Sequence, residues 1–593
     1  MVNLSKKNYF RNKLIHSYRD SKKSWEIMNE VIHDSPIRTK VNNLPKEIII
    51  NDMVISDKNL MVERFNDFFV NITQTLNICS NMGNVDNTTT ADGSNCHDAH
   101  LYNSQSDTNF NYDNYNVTSI EIENIVAEIP NKFSTGPDAI SSYLIKSIIT
   151  CISQPLASMA NTMLKTGIFP SLCKKAKVIV IFKKGSKDSM NNYRPISLLN
   201  FCSKIFEKII HNRLIKFINE NNIIMDNQYG FRANSNTNLA ILDFTEFVRY
   251  HVDCGQIVAG IFLDIAKAFD CVDHSVLISK LNKIGICNNA LKLFANYLSN
   301  RSQYIQVDGF TSTSLNIKAG VPQGSVLGPT LFLIYINNIF KISINAKIIS
   351  FADDTSVLFR ANNVTQLYND INENISLIFN WFSLNKLSIN ADKTRLILFT
   401  SAHKEKTIDK IITNSDLKIV INDIQIARCK TIQYLGIYID SNLSYKSHIE
   451  FLIGKISKQI GIIGKLRHYI PIHLLILYYY AHVQSHIQYG IEIYGLTAKT
   501  HLLPLDSIIN KSVQVMTFMN YVDHVSPTRV KLGIPNFKVL FYRSIADKMF
   551  RIINKVGHVH NSFEFGTTTG TRSLRSNVDC VRLKHKKNKN KLR

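Results

Sequence analysis

Hydrophobic and polar positions divide the chain into recognisable elements. Gln256 to Asp264 is a near-continuous apolar run ending in a carboxylate, the pattern of a buried strand. Lys347 to Phe359 reads as two strand-like runs flanking Asp353 and Asp354, which predicts a hairpin with the carboxylates at its tip. Lys177 to Phe182 reads as a strand running into a basic turn, Lys183 to Asp188, with Asn192 to Leu198 after it. Helical patterns cover Ala266 to Leu281, stopping near Gly285, and Thr330 to Ile339, entered through the Gly/Pro-punctuated Ala319 to Pro329. The apolar run Leu474 to Tyr480 reads as a buried helix.

The flanks have a different texture. Residues 1–79 predict a basic helical extension, with an amphipathic run at Val62 to Phe69. Residues 80–118 are rich in Asn, Asp, Ser and Thr and contain no Lys or Arg, which predicts a loosely ordered linker. The end, 561–593, is a strongly basic tail. No solenoid-type repeat is present.

Composition narrows the class. The chain has 593 residues, 45% hydrophobic and 19% charged, a globular balance with material for several domains. Lys+Arg is 69 against Asp+Glu 46, a formal charge of +23. That excludes an acidic solvating protein and favours a polyanionic partner, nucleic acid first, with a generally basic surface as the bland alternative. The 10 cysteines form no CxxC pair, which argues against a disulfide scaffold or a cysteine zinc site and for a reduced, intracellular protein. No signal-like leader and no run of ~20 apolar residues is present, so no membrane partner is expected.

Each acidic element alone has a structural explanation, as a turn or a helix cap. Together Asp264 and Asp353/Asp354 offer hard oxygen ligands on two strands that can be neighbours. Two magnesium ions roughly 3.5–4 Å apart, held by such carboxylates, drive in-line phosphoryl displacement. Lysines at a strand end and Arg194 can neutralise a triphosphate, although by itself this segment is better explained as a solvated hairpin. The small residues around Gly324 admit a backbone or a base at close range.

In this order the segments resemble the reverse transcriptase of non-LTR (LINE-type) retrotransposons, especially the jockey-like kind. The resemblance runs from about residue 120 to about 450. It is carried by Ser134–Ser141 (STGPDAIS), Asn192–Leu199 (NYRPISLL), Gln228–Arg232 (QYGFR), Phe262–Asp270 (FLDIAKAFD), Gly320–Pro329, Phe351–Asp354 (FADD), Leu384–Phe399 and Tyr434–Gly436 (YLG). A lone ADD is weak; seven or more segments in family order are specific.

The resemblance implies an α+β right-hand polymerase. Fingers span about 119–255, the palm lies mainly in 256–440 with an antiparallel sheet, and a helical thumb covers about 441–560. It implies RNA-directed DNA polymerisation, with template RNA, a DNA primer and dNTPs as partners and Mg²⁺, replaceable by Mn²⁺, as cofactor. Asp264, Asp353 and Asp354 are then the metal ligands. Phe269, five residues after Asp264, excludes a 2′-hydroxyl. Gln323 and Gly324 contact nucleotide and template, and Lys183 (Lys177 and Lys184 being the alternatives) and Arg194 contact the triphosphate. Lys393 assists pyrophosphate departure, and Tyr434, Leu435 and Gly436 grip the primer.

Family members carry an endonuclease ahead of the polymerase. Only about 118 residues precede the resemblance here, so the expectation is a polymerase portion with nicking supplied separately. The basic tail suits nuclear entry. Two other readings stay in view: an RNA-directed RNA polymerase, disfavoured by Phe269, and a nucleic-acid-binding remnant without catalysis.

Overall fold

A computed structural model describes residues 2–17, 20–33, 44–73, 110–112, 116–391, 393–421 and 424–554. The chain divides into two compact units. One comprises residues 36–231 and 250–432; the other gathers 1–35, 232–249 and 433 onward.

The first unit is built on two sheets. The apolar run after Gln256 forms the strand Ile257–Leu263 at the centre of a five-stranded sheet. All but one of its residues are buried, because both faces are covered and every side chain must be apolar. Asp354–Ala361 lies antiparallel on one side of it and Arg395–Phe399 on the other. Lys347–Phe351 closes one edge as the predicted hairpin with Asp354–Ala361, and Ala427–Cys429 closes the opposite edge. Helices Phe201–Glu220, Gly328–Ile336 and Val364–Leu384 contribute side chains to the core around this sheet.

The second sheet pairs Lys175–Phe182 antiparallel with Tyr193–Leu198 and parallel with Arg301–Val307. Helix Lys58–Val70 packs onto it through Met61, Val62 and Phe65, none of which is exposed at all. This is the amphipathic run seen in the sequence.

The other unit is mainly helical. It holds Val2–His16, Ser21–His33, Thr237–Asp253 up to residue 249, Lys446–Leu466, Ile472–Tyr479, Lys499–Thr517 and Phe537–Ile553. The expected buried helix around Leu474 is present. No described helix is long and apolar enough to cross a membrane.

Three expectations change. Residues 1–79 do not stay together: 1–35 belong with the helical unit and Lys58–Val70 with the second sheet. That stretch also contains a hairpin, Ile48–Ile50 with Met53–Ile55, turned by Asn51 and Asp52 at positive φ. Of the proposed linker, residues 110–112 and 116–118 are described. Phe110 and Tyr112 are buried, and the Phe110 N–H donates to the Gly285 carbonyl at 2.8 Å. Aromatic rings spaced two apart in a polar stretch found the core that composition alone hid. The tail 561–593 lies outside the described residues.

The helix expected from Ala266 begins only at His274 and ends at Lys283. Residues 266–273 turn instead. Lys267 takes a φ of 48°, and the Asp273 carboxylate caps the helix by accepting from the Val276 N–H at 3.0 Å. An N-cap carboxylate outcompetes continuation of the helix into its own first turn.

Candidate active site

The central strand runs out at Leu263, paired with Thr355. One step further along that antiparallel ladder sets Asp264 across from Asp354. The neighbouring hairpin pairs Asp354 with Phe351, which leaves Ala352 and Asp353 as its turn. The sheet therefore delivers the three carboxylates to one end of adjacent strands. Ala352 has a φ of 57°, a left-handed conformation uncommon for a residue with a Cβ.

These carboxylates feel one another. Burial, then the charges of Asp353 and Asp264, push the Asp354 carboxyl up to about 6, although the residue as a whole is exposed to solvent. Burial also raises Asp353, with the Asp264 charge adding to it. Lys183 and Arg194 oppose both shifts. Burial and the adjacent Arg194 lower the Lys183 ammonium, while Asp264 works the other way. Lys183 and Arg194 flank the turn that joins strands Lys175–Phe182 and Tyr193–Leu198, where Ile181 pairs with Arg194. Of the other two lysines, Lys177 Nζ donates to Thr135 Oγ1 at 3.4 Å, and Lys184 acts as a nearby charge on Lys183. Lys393 Nζ lies 3.5 Å from Asp264 Oδ2.

Phe269 occupies the turn after Asp264. Its ring stacks on Phe332 at 4.6 Å between centroids and meets Phe231 edge-on at 5.9 Å. Its carbonyl accepts from the Val321 N–H at 2.9 Å, which joins this turn to the Gly/Pro loop. In that loop Gln323 Nε2 donates to both Asp270 oxygens, at 2.8 and 2.9 Å, so its amide nitrogen is engaged within the protein. The Gln323 carbonyl accepts from the Ser197 N–H at 2.8 Å. Gly324 has a φ of 117°, and a Cβ there would stand 2.7 Å from the Ser197 carbonyl oxygen, so only glycine fits.

Tyr434, Leu435 and Gly436 belong to the other unit. Leu435 and Gly436 both have positive φ, the signature of a tight hairpin turn between Thr431–Tyr434 and Ile437–Asp440. Tyr489 Oη donates to the Leu435 carbonyl at 2.5 Å. The Tyr434 ring is buried against Phe244, so the turn presents its backbone rather than this ring.

Residue-by-residue reading left three contributors without a role. Asp270 anchors Gln323, Glu207 accepts from the Val326 and Leu327 N–H groups at 2.6 and 3.3 Å, and Gln228 contacts the Ala352 turn. Asp270 and Gln228 sit inside recognised motifs, but their partners are distant in sequence. Glu207 is an acidic residue on a buried helix face, a signal that sequence inspection could have flagged.

The donor chemistry suits a hard divalent cation: oxygen ligands only, with mutual repulsion that a cation relieves. Among the described residues no three acidic, imidazole or thiol groups already converge as a ligand cluster, and the Asp264 carboxylate faces Lys393.

Comparison with known proteins agrees with the geometry. Residues 181–439 match the family described as reverse transcriptase (RNA-dependent DNA polymerase). The chain is 29% identical over 398 residues to the RNA-directed DNA polymerase from mobile element jockey of Drosophila melanogaster, covering 65% of this chain and 42% of that protein. It is 28% identical over 412 residues to the probable RNA-directed DNA polymerase from transposon BS of the same fly, covering 68% and 44%. For the probable polymerase from transposon X-element the identity is 26% over 406 residues, covering 67% and 43%. The chain thus spans less than half the length of these relatives. The sheet that brings the three carboxylates to one end lies within residues 181–439, the stretch that matches the reverse transcriptase family.

Proposed function

We propose that the chain is an RNA-directed DNA polymerase that extends a DNA 3′ end on an RNA template. One observation carries this reading: Asp264 ends the strand that pairs with the Asp353–Asp354 hairpin, with Lys183 and Arg194 acting on the same carboxylates. In polymerase terms the central sheet is the palm, the second sheet belongs to the fingers, and the helices after Tyr445 form the thumb.

Asp264, Asp353 and Asp354 would hold two Mg²⁺ ions, with Mn²⁺ able to replace them. When bound, such ions lower the pKa of an attacking hydroxyl and neutralise the leaving oxygen of an in-line displacement. The chain's own groups do the rest. Lys183 and Arg194 neutralise the triphosphate; burial and Arg194 already depress Lys183, so bringing in an anion restores its preference for the charged form. Lys393, exposed and paired only loosely with Asp264, moves to the departing pyrophosphate and supplies a proton. Phe269, fixed between Phe231 and Phe332, closes the space beside the sugar where a 2′-hydroxyl would stand. With its amide nitrogen on Asp270, Gln323 meets the nucleotide through its side-chain Oε1, and Gly324 lets the backbone come close. The Tyr434–Gly436 turn holds the primer strand through its backbone.

The strongly basic chain binds template and primer through their phosphates, so binding weakens steeply with salt. An endonuclease supplied separately would make the nick that primes synthesis, and nuclear entry through the basic tail would bring the chain to its target.

The test is primer extension on an RNA template with Mg²⁺, comparing dNTPs with NTPs, for wild type and the double variant Asp353→Asn/Asp354→Asn. DNA product from the wild type alone supports the reading. Preferential use of NTPs would instead indicate an RNA-directed RNA polymerase. RNA binding with no product from the folded wild type would indicate a non-catalytic remnant.

A further inference from the structure

We infer that Gln228 is a positioning residue for the catalytic turn: its amide fixes the Ala352 backbone and thereby sets where Asp353 and Asp354 stand relative to Asp264. The inference rests on the polymerase reading above.

Gln228 is fully buried, yet it is a polar side chain with four hydrogen-bonding positions to satisfy. Two of its hydrogen bonds reach the turn and a third stays within its own segment. Its Oε1 accepts from the Ala352 N–H at 2.9 Å and from the Gly230 N–H at 2.9 Å, and its Nε2 donates to the Ala352 carbonyl at 3.3 Å. The side-chain amide therefore grips both the N–H and the C=O of one residue, as a neighbouring strand would. The backbone around Gln228 extends this pairing. Tyr229 N–H donates to the Ser350 carbonyl at 2.8 Å, and Ser350 N–H to the Asn227 carbonyl at 3.0 Å.

Ala352 is the residue that most needs such support. Its φ of 57° is disfavoured for any residue with a Cβ, and it immediately precedes the two aspartates. Without an external clamp the turn can relax to a commoner conformation and carry both carboxylates with it. The approach leaves no slack: a Cβ on Gly230 would lie 2.2 Å from the Ala352 nitrogen and 2.8 Å from its Cα. Gln228 and Gly230 thus act on the same backbone, one by hydrogen bonding and one by absence of bulk.

Purely structural support for the sheet would leave a different signature. The strand Ile257–Leu263 that bears Asp264 is held by its own ladders to Asp354–Ala361 and Arg395–Phe399. Losing Gln228 should therefore loosen the turn and spare that strand.

The experiment uses the full chain as wild type, Gln228→Ala and Gly230→Ala. Amide exchange is first measured without metal over residues 349–355 and 257–263, and primer extension is then measured with Mg²⁺. The expected result for both variants is faster exchange at 349–355 with unchanged protection at 257–263. With it should come a fall in kcat of about 10²-fold at a KM for dNTP within threefold of wild type. Unchanged exchange at 349–355, or kcat within threefold of wild type, would overturn the inference. So would loss of protection across 257–263 in both variants, since Gln228 would then be a general fold residue. If only Gln228→Ala loses that protection, Gly230→Ala decides. A wild type that fails to extend sinks the polymerase reading, and the exchange comparison still decides whether Gln228 fixes the turn.

Discussion

Gln323 donates through one nitrogen to both oxygens of Asp270, at 2.8 and 2.9 Å. This pair joins the turn after the Asp264 strand to the Gly/Pro loop that lies beside Ser197. Burial pushes the Asp270 carboxyl up to about 6, against the pull of Gln323, Lys267 and Arg194. The carboxylate form, which orients Gln323, is thus present above pH 6 and is lost as pH falls through it. The folded value lies above an unfolded carboxylate's ~3.9, so protonation on mild acidification relieves the fold rather than weakening it. The KM for dNTP should rise several-fold between pH 7 and pH 5.5 with the protein still folded. Asp270→Asn should show the raised KM already at pH 7 and lose much of the dependence. Steady-state extension across this pH range, with melting checked at each pH, measures both.

Asp354 bears a similar but separate cost. Its carboxyl is pushed up to about 6 by burial and the charges of Asp353 and Asp264, so the charge it carries at neutral pH costs the metal-free fold more than it costs the unfolded chain. Asp354→Asn removes a charge that the fold resists. The metal-free variant should melt slightly higher than wild type, by about 1 kcal/mol once solvent screening at this exposed residue is allowed for. Primer extension should fall by three orders of magnitude or more. Mg²⁺ should raise the melting temperature of wild type and do so much less for the variant. A calorimetric scan with and without Mg²⁺ tests the pair of effects, and a variant that melts well below wild type without metal would contradict the first.

Phe269 is clamped on two sides, stacked on Phe332 and edge-on to Phe231. In the proposed role as a guard against a 2′-hydroxyl, these two contacts hold the ring in place. Phe269→Val keeps an apolar residue there but opens the space. The ratio of kcat/KM for dNTP over NTP should drop by ten- to a hundredfold, about 1.4–3 kcal/mol of discrimination. DNA synthesis itself should fall only a few-fold. Incorporation opposite one template base, measured with each nucleotide type, gives the ratio. An unchanged ratio would remove Phe269 from sugar selection.

The parts of this site legible in the sequence were those carried by contiguous pattern. The apolar run to Asp264 and the paired runs around Asp353–Asp354 declare strands because each core-facing position must be apolar. The resemblance to reverse transcriptases then named their use. The less visible parts depend on long-range partners. Nothing local to Gln228 announces that its amide will meet Ala352, 124 residues away. Nothing in the helical pattern after Asp264 announces that Asp270 will turn to Gln323, 53 residues on. Phe110 and Tyr112 were hidden by the polar residues around them, since two rings do not shift the average of a stretch. Helix boundaries failed where a cap decided them, as Asp273 does for His274–Lys283.

Glu207 offers the most severe stability test. It is fully buried on helix Phe201–Glu220, 119 residues from the loop it holds. Its Oε2 accepts from Val326 and Leu327 as helix Gly328–Ile336 begins, and its Oε1 accepts from Ser203 Oγ. Burial raises its carboxyl, while buried Arg301 and the two backbone N–H groups favour the charged form. A carboxylate at a helix N-terminus also meets the favourable end of the peptide dipoles. Glu207→Ala would leave the half-buried Val326 N–H and the buried Leu327 N–H without this acceptor and take a nearby opposite charge from Arg301, a loss of about 3–5 kcal/mol. Glu207→Gln keeps the shape and one acceptor oxygen but gives up the charge, and should cost roughly half as much. Because the loop beyond Gln323 hangs on these bonds, the KM for dNTP should rise in Glu207→Gln while its kcat stays within a few-fold. Chemical denaturation of all three proteins, with extension kinetics on those that fold, checks the order. Equal stability for Glu207→Ala and wild type would show that the loop is held by other contacts.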